Sequence, residues 1–266
     1  MVPIIDSHCH IYPEKIAARA VAGIGDFYDI PMVLDGRVDT LLSSMASCGI
    51  DHAVVSSCAT SPAQVASINN FIADAVDKSE GKFTGLGTLH PESEDLEGDF
   101  EHLMALGLKG VKMHHDFQKF AIDDPKCMPI YELCAGRIPL LLHTGDNRYD
   151  FSNPDHMEPV LKAFPNLTVV GAHLGGWSIW DQAVKYLSKY ENFVVDCSSA
   201  LYAISPETAV EVMNAYGEDR IMFGTDFPMW GARGELKRVE KLGLSKRAQE
   251  KLFYYNAKRI FNIEEI

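Results

Sequence analysis

Two histidines separated by a single residue, His8 and His10, follow an apolar run near the start of the chain, in the stretch IIDSHCHIYP. Residues two apart on a strand face the same side, so both imidazoles point one way and Cys9 points the other. Neutral imidazole is the commonest side-chain ligand of transition metals. The pair could open a metal site, or it could be two hydrogen-bonded polar side chains. Three further stretches bear on the choice: LLLHTGD brings His143, VVGAHLGG brings His173 and MFGTDFP brings Asp226. Three histidines and a carboxylate suit a borderline divalent ion such as Zn²⁺, with a position left open for water. Taken singly, each residue also has a bland reading, as a hydrogen-bonded strand-end histidine or an aspartate capping a turn.

These residues act together only if the fold gathers them. Short aliphatic runs read as eight strands, at residues 3–6, 52–58, 83–89, 108–114, 138–144, 167–173, 192–198 and 220–226. Several are almost continuously apolar, as strands buried on both faces are. Helical periodicity fills the intervals at 38–48, 62–77, 94–106, 126–136, 155–164, 178–190 and 206–216, and 234–261 reads as two helices split near Gly243. Residues 14–37 are weakly patterned and are expected to fold over one end. Strands alternating with helices predict an α/β (β/α)8 TIM barrel, a single catalytic domain over residues 1–266. A doubly wound open sheet is the alternative, weakened because no GxGxxG or phosphate loop follows the first strand.

The barrel makes its own test, because catalytic groups of such barrels sit at the C-terminal ends of the strands. Those ends carry His8 and His10, His90, Lys112 and His114, His143, His173, Cys197 and Asp226 in strand order. Six of the ten histidines fall there, where chance would scatter them over helix surfaces as well. His115 and Asp116 are expected in the loop that follows, and His90 as a supporting residue. His52, His102 and His156 read as structural or surface residues. Cys197 reads as packing, since nothing beside it would lower a thiol pKa.

Composition narrows the function. The chain has 266 residues, 47% hydrophobic and 23% charged, enough to bury a large core without a disulfide or structural metal. A metal here is therefore expected to be catalytic. The formal net charge is -13, with the acidic residues spread along the chain. That argues against nucleic acid and anionic membranes, which need a basic footprint. No apolar run is long enough to span a bilayer and no signal-peptide pattern opens the chain. Six cysteines without a CxxC pair fit reduced thiols. The expectation is a cytoplasmic enzyme with a small-molecule substrate and a homodimeric assembly.

The motifs DSHCH, KGVKMH, LLLHTGD, GAHLGG and FGTDFP, running from residue 6 to residue 228, resemble the amidohydrolase superfamily. The resemblance is closest to the amidohydrolase-related group that holds metal-dependent hydrolases and aminocarboxymuconate-semialdehyde decarboxylase-like enzymes. It implies His8, His10, His143 and Asp226 as metal ligands, with Asp226 also handling a proton. His173 would be an acid/base or polarising group, or a ligand to a second ion. It also implies one divalent ion, Zn²⁺ first. Some relatives use a carboxylated lysine on the fourth strand, where Lys112 stands, but Lys112 could instead bind an anionic substrate group or pair with a carboxylate. His114 shares its face.

Such an ion lowers the pKa of bound water towards 7 and yields hydroxide at neutral pH. The expected activity is hydrolysis of a small, anionic amide, ester or lactone. The alternative is non-oxidative decarboxylation of an aromatic or muconate-type acid, and a catalytically silent metal-binding scaffold ranks below both. Arg148 is placed either to grip a substrate carboxylate bidentately or to be a solvated loop charge. Tyr12 and Trp177 are expected to line the pocket.

Overall fold

The computed structural model describes residues 2–264 and residue 266. All eight expected strands form: β1 (Ile5–His10), β2 (His52–Ser56), β3 (Phe83–Gly85), β4 (Val111–Met113), β5 (Leu140–Leu142), β6 (Val169–Gly171), β7 (Phe193–Asp196) and β8 (Ile221–Met222). Neighbours pair in parallel and in chain order, β1 to β3 and β4 to β8. Two further parallel bridges, Gly87 to Val111 and Cys9 to Phe227, join the two runs and close the barrel.

Period-two alternation sorts the strand side chains into two cores. Ile5, Val54, Leu86, Leu141, Val170, Val194 and Met222 form the barrel interior, plugged from below by Tyr254, Ala257, Phe261 and Ile263. The residues between them, among them Val55, Val111, Met113, Leu140, Leu142, Val169, Phe193 and Val195, pack against the surrounding helices. Buried on both faces, the strands have no reason to alternate polar with apolar, which is why they read as continuous apolar runs. At β4 the interior position between Val111 and Met113 is Lys112, 1% exposed.

The helices are α1 (Glu14–Tyr28), α2 (Val38–Cys48), α3 (Val65–Lys78), α4 (Leu96–Ala105), α5 (His115–Gln118), α6 (Met128–Cys134), α7 (Pro154–Ala163), α8 (Trp180–Leu187), α9 (Pro206–Tyr216), α10 (Ala232–Glu240), α11 (Lys246–Glu250) and α12 (Asn256–Ile260). The split near Gly243 falls between α10 and α11, and residues 251–255 between α11 and α12 form one wider π turn. Two sequence expectations need correction. The weakly patterned segment after β1 contains a fifteen-residue helix, α1. Only Ala17 and Tyr28 of α1 are buried, because Ile16, Ala20 and Ile24 face a cavity rather than the core. His115 and Asp116 are not in an open loop but buried in the short α5. Among the described residues no helix is long and apolar enough to cross a membrane.

Candidate active site

A register shift in β1 aims the two histidines. Asp6 pairs with Ala53 but Cys9 with Val55, three residues against two. One residue more on β1 than on β2 is a bulge, and it reverses which parity faces inward. Below it Ile5 lies in the barrel interior; above it Cys9 lies in the outer core and His8 and His10 turn inward. Buried Asp6 anchors the bend by accepting from the Thr225 hydroxyl at 2.6 Å and the Thr225 N–H at 2.9 Å. Asp226 and His173 reach the same space with left-handed backbone, φ 58° and 61°. Non-glycine residues pay roughly 1–2 kcal/mol for that conformation, and such outliers concentrate at working sites.

The imidazoles meet at short range. His8 Nε2 lies 3.1 Å from His10 Nε2, 3.3 Å from Lys112 Nζ and 3.7 Å from Asp226 Oδ1. His10 Nε2 lies 3.4 Å from the same carboxylate oxygen. His143 Nδ1 and His173 Nε2 face each other at 3.0 Å, and the His8 and His173 rings stack with centroids 5.3 Å apart.

The outer nitrogens fix where the protons are. His8 Nδ1 donates to Asp196 Oδ2 at 3.0 Å. His173 Nδ1 donates to the Ser198 carbonyl at 2.9 Å. His143 Nε2 donates to the Gly145 carbonyl at 3.2 Å. In neutral rings that leaves the inward atoms, His8 Nε2, His173 Nε2 and His143 Nδ1, as lone pairs. Lone pairs facing one another beside a carboxylate oxygen repel unless a cation or proton stands among them, so the donor set fits a divalent ion.

Burial favours the neutral form of three of them: it pushes the His8 pKa down to about 4 and lowers His10, while His143 falls well below the usual imidazole range. Burial also lowers the Lys112 ammonium. It would raise Asp226, but His10, His8 and His173 outweigh it and hold the carboxyl well below its ordinary value.

Among the described residues, His8, His10 and Asp226 offer ligand atoms all within 4.8 Å of one another. His143, read from the sequence as the third imidazole of that set, is outside this group and stands against His173. His8, His173 and Asp196 make a second close group, but Asp196 is already spoken for. Its Oδ2 takes the His8 Nδ1 proton, and its Oδ1 accepts from Ser198 Oγ at 2.5 Å and Ser198 N at 3.0 Å. Burial would raise the Asp196 pKa, but these contacts bring it down to about 2. Asp196 therefore orients His8 as a permanent carboxylate.

Ser199 Oγ donates to Asp226 Oδ2 at 2.6 Å and accepts from Trp230 Nε1 at 2.9 Å, which fixes the rotamer of that carboxylate. Tyr28, from α1, bonds His114 Nε2 at 2.7 Å, and the His114 ring stacks on His143 with centroids 4.1 Å apart. Asp196, Ser198, Ser199 and Tyr28 are absent from the sequence inventory.

Above the donors lies a cavity of about 450 Å³ whose floor includes His10, Lys112, His114, His143, His173 and Asp226. Its walls are mostly apolar and aromatic, from Ile24, Ile68, Phe71, Phe117 and Met229. Tyr12 lines it, as expected; Arg148 and Trp177 are not among the described residues that do. Arg148 grips buried Asp146 bidentately, at 2.9 and 2.7 Å, and donates to the Phe27 carbonyl at 2.8 Å. Trp177 sits edge-on to Tyr28, centroids 5.2 Å apart, and donates to Tyr202 at 3.2 Å. Both lock the C-terminal end of α1 onto the barrel.

A family model described as amidohydrolase matches residues 5–263. An uncharacterized TIM-barrel protein from Bordetella bronchiseptica superposes with a TM-score of 0.83 at 21% identity, covering 98% of this chain and 99% of that one. The 5-carboxyvanillate decarboxylase of Sphingomonas paucimobilis gives 0.79 at 17% identity, covering 99% and 100%. A dihydroxybenzoic acid decarboxylase from Polaromonas sp. JS666, solved with bound manganese and the inhibitor 2-nitroresorcinol, gives 0.77 at 18% identity, covering 100% and 98%. At these identities the likeness establishes the (β/α)8 barrel. No curated protein sequence matches the chain.

Proposed function

Since the chain belongs to the amidohydrolase family, we propose that it is a metal-dependent, non-oxidative decarboxylase of a small aromatic or dienoic acid. The observation that carries this reading is a floor of inward lone pairs and one carboxylate beneath an apolar cavity roofed by a helix. A flat, unsaturated acid fits that shape, and the helix keeps bulk water from a reacting carbon. Proteins of the same fold that carry out this reaction support it. The decarboxylases named above favour this reading over the hydrolysis expected first from the sequence.

The ion would be held by His8, His10 and Asp226, with His143 and His173 beside it, and would supply a Lewis acid for the oxygens of the substrate. The cation Lys112, beside His8, would pair with the substrate carboxylate. Asp226 would take the proton of the incoming acid or phenol, its rotamer fixed by the Ser199 bond to Oδ2. As the C–C bond breaks, CO2 leaves and its bonding pair stays on the ring or chain carbon. That carbon takes the proton from Asp226, so no water is consumed. His173 Nε2 and His143 Nδ1, which face each other at 3.0 Å, would offer further donor atoms to the ion.

The test is to load the protein with manganese or zinc and supply carboxylated phenols and dienoic acids in D2O. Release of CO2 with one deuterium on the former carboxyl carbon is expected. Turnover of amides or lactones with oxygen incorporated from water, and no CO2 from any acid, would refute the reading and restore hydrolysis. Metal analysis of active protein decides between zinc and manganese.

A further inference from the structure

The chain has nine arginines. Eight have partners. Arg37, Arg137, Arg148, Arg238 and Arg247 pair with carboxylates. Arg220, Arg233 and Arg259 donate to backbone carbonyls. Arg19, among the described residues, makes no hydrogen bond, ion pair or ring contact, and it is the arginine that lines the cavity. Its own helix offers no acid to neutralise it. The neighbours one turn away on α1 are Lys15, Ile16, Ala22 and Gly23. Glu14, the acidic residue of the first turn, is turned toward Arg37 at 3.3 Å.

In a chain of net charge -13, a guanidinium without a counter-charge at a cavity mouth is unusual, and the wall beside it is apolar. Among the described lining residues the one acid is Asp226, on the floor. Charge along the cavity therefore runs from an ion site and Lys112 at the bottom, through an apolar middle, to a free planar cation at the rim.

We infer that Arg19 is a specificity-determining residue that binds a second, distal carboxylate, so that the preferred substrate is a diacid with an apolar or aromatic body. The inference rests on the decarboxylase reading for the role of the first carboxylate. Its own content is the rim subsite. The guanidinium fork matches a carboxylate bidentately. Because Arg19 is exposed, the contact is screened by salt and serves selection and capture more than the chemical step.

The test measures binding to manganese-loaded protein by titration calorimetry. Benzoate is compared with isophthalate and terephthalate, and 2-naphthoate with naphthalene-2,6-dicarboxylate. At least one diacid is expected to bind tenfold or more tightly than its monoacid, with the advantage shrinking at high salt. Arg19→Gln should abolish the preference, Arg19→Glu should invert it, and Arg19→Lys should keep only part of it. No diacid preference, or one that survives in Arg19→Gln, would overturn the inference. CO2 release is scored separately. A preference that depends on Arg19 without any CO2 release leaves the subsite standing and removes the decarboxylase reading. CO2 release from monoacids and diacids alike, unaffected by Arg19→Gln, does the reverse.

Discussion

Replacing Asp196 by asparagine tests the account of the metal site without touching a ligand atom. The carboxylate is wholly buried and surrounded by donors: His8 Nδ1 at 3.0 Å, Ser198 N at 3.0 Å, Ser198 Oγ at 2.5 Å and His173 N at 3.3 Å. An amide keeps one oxygen and gains two N–H donors, so one side of the cluster must lose its acceptor. If the nitrogen faces Ser198 and His173, two backbone N–H groups are stranded and the Ser198 hydroxyl must turn to accept. If it faces His8, the imidazole must accept at Nδ1 and carry its proton on Nε2, the atom that points at His10 and Asp226. Either way the cost is that of a lost hydrogen bond to a charged group, about 1.5–3 kcal/mol. In the second arrangement the cost falls directly on metal affinity.

The expected result is a 10- to 100-fold weaker divalent-metal affinity, the range found when such orienting carboxylates are removed, in a protein that still folds. Chelator competition on purified wild type and Asp196→Asn measures it, with circular dichroism as the folding control. Unchanged affinity in a folded variant would falsify the tautomer argument, because it would mean that His8 presents Nε2 without help from Asp196.

Other consequences are equally measurable. Gly145 has φ +78°, and a Cβ there would lie 2.6 Å from the Gly176 backbone and 2.8 Å from Trp177 N. Gly145→Ala should lose about 2 kcal/mol in denaturant unfolding, and a loss under 0.5 kcal/mol would show that the two loops part easily. Tyr28→Phe removes the bond to His114 Nε2 and should cost about 1 kcal/mol of stability. It should also lower kcat/KM up to tenfold, so unchanged kinetics would exclude Tyr28 from the site.

His52 gives the pH dependence. It lies outside the site, with Nδ1 donating to the Gly81 carbonyl and Nε2 accepting from Thr84, and burial depresses its pKa from 6.5 to about 4. Between those values the unfolded chain binds the proton and the folded one does not. Stability from this group is thus full above pH 6.5 and is lost as pH falls towards 4, by roughly 3 kcal/mol. The unfolding free energy of His52→Gln should fall less over that interval, and parallel pH profiles would refute the assignment.

How much of this was legible in the sequence depends on side-chain parity. Leu141 faces the barrel interior, so His143 does too, and Lys112 carries His114 with it; Asp226 shares the parity of Met222 but reaches the site through its own left-handed turn. Asp196 was equally legible: Val194 faces inward, so the residue two on must as well, and Cys197 must face the helices, as it does. Asp196 ends β7 one residue before Cys197 and faces inward by the strand's parity.

Two placements break the alternation and no pattern could supply them. The β1 bulge inserts a residue between Ile5 and His8; without it, inward-facing Ile5 would bring Ser7 and Cys9 inward in place of the histidines. On β6 the parity of Val170 selects Ala172, and His173 reaches the site because residues 173 and 174 turn left-handed. The helix α1 escaped for a different reason. Its apolar side lines the cavity instead of packing into the core, so the usual period was blurred.

Charge explains why floor and roof must be read together. On the floor, Asp226 and Asp196 are carboxylates, burial favours the neutral form of His8, His10 and His143, and Lys112 is the nearest cation. With Lys112 as the ammonium, that cluster has one negative charge in excess, an expensive state for a buried site. A divalent ion turns the excess positive, and one substrate carboxylate brings the loaded floor to neutrality. A second carboxylate at the same depth would upset that balance. A diacid would therefore carry its other charge away from the floor, and at the rim stands Arg19, the arginine without a partner among the described residues. On this reasoning α1 does more than exclude water. On the proposed reading, the strand ends would carry the chemistry and the helix that roofs them would select among acids.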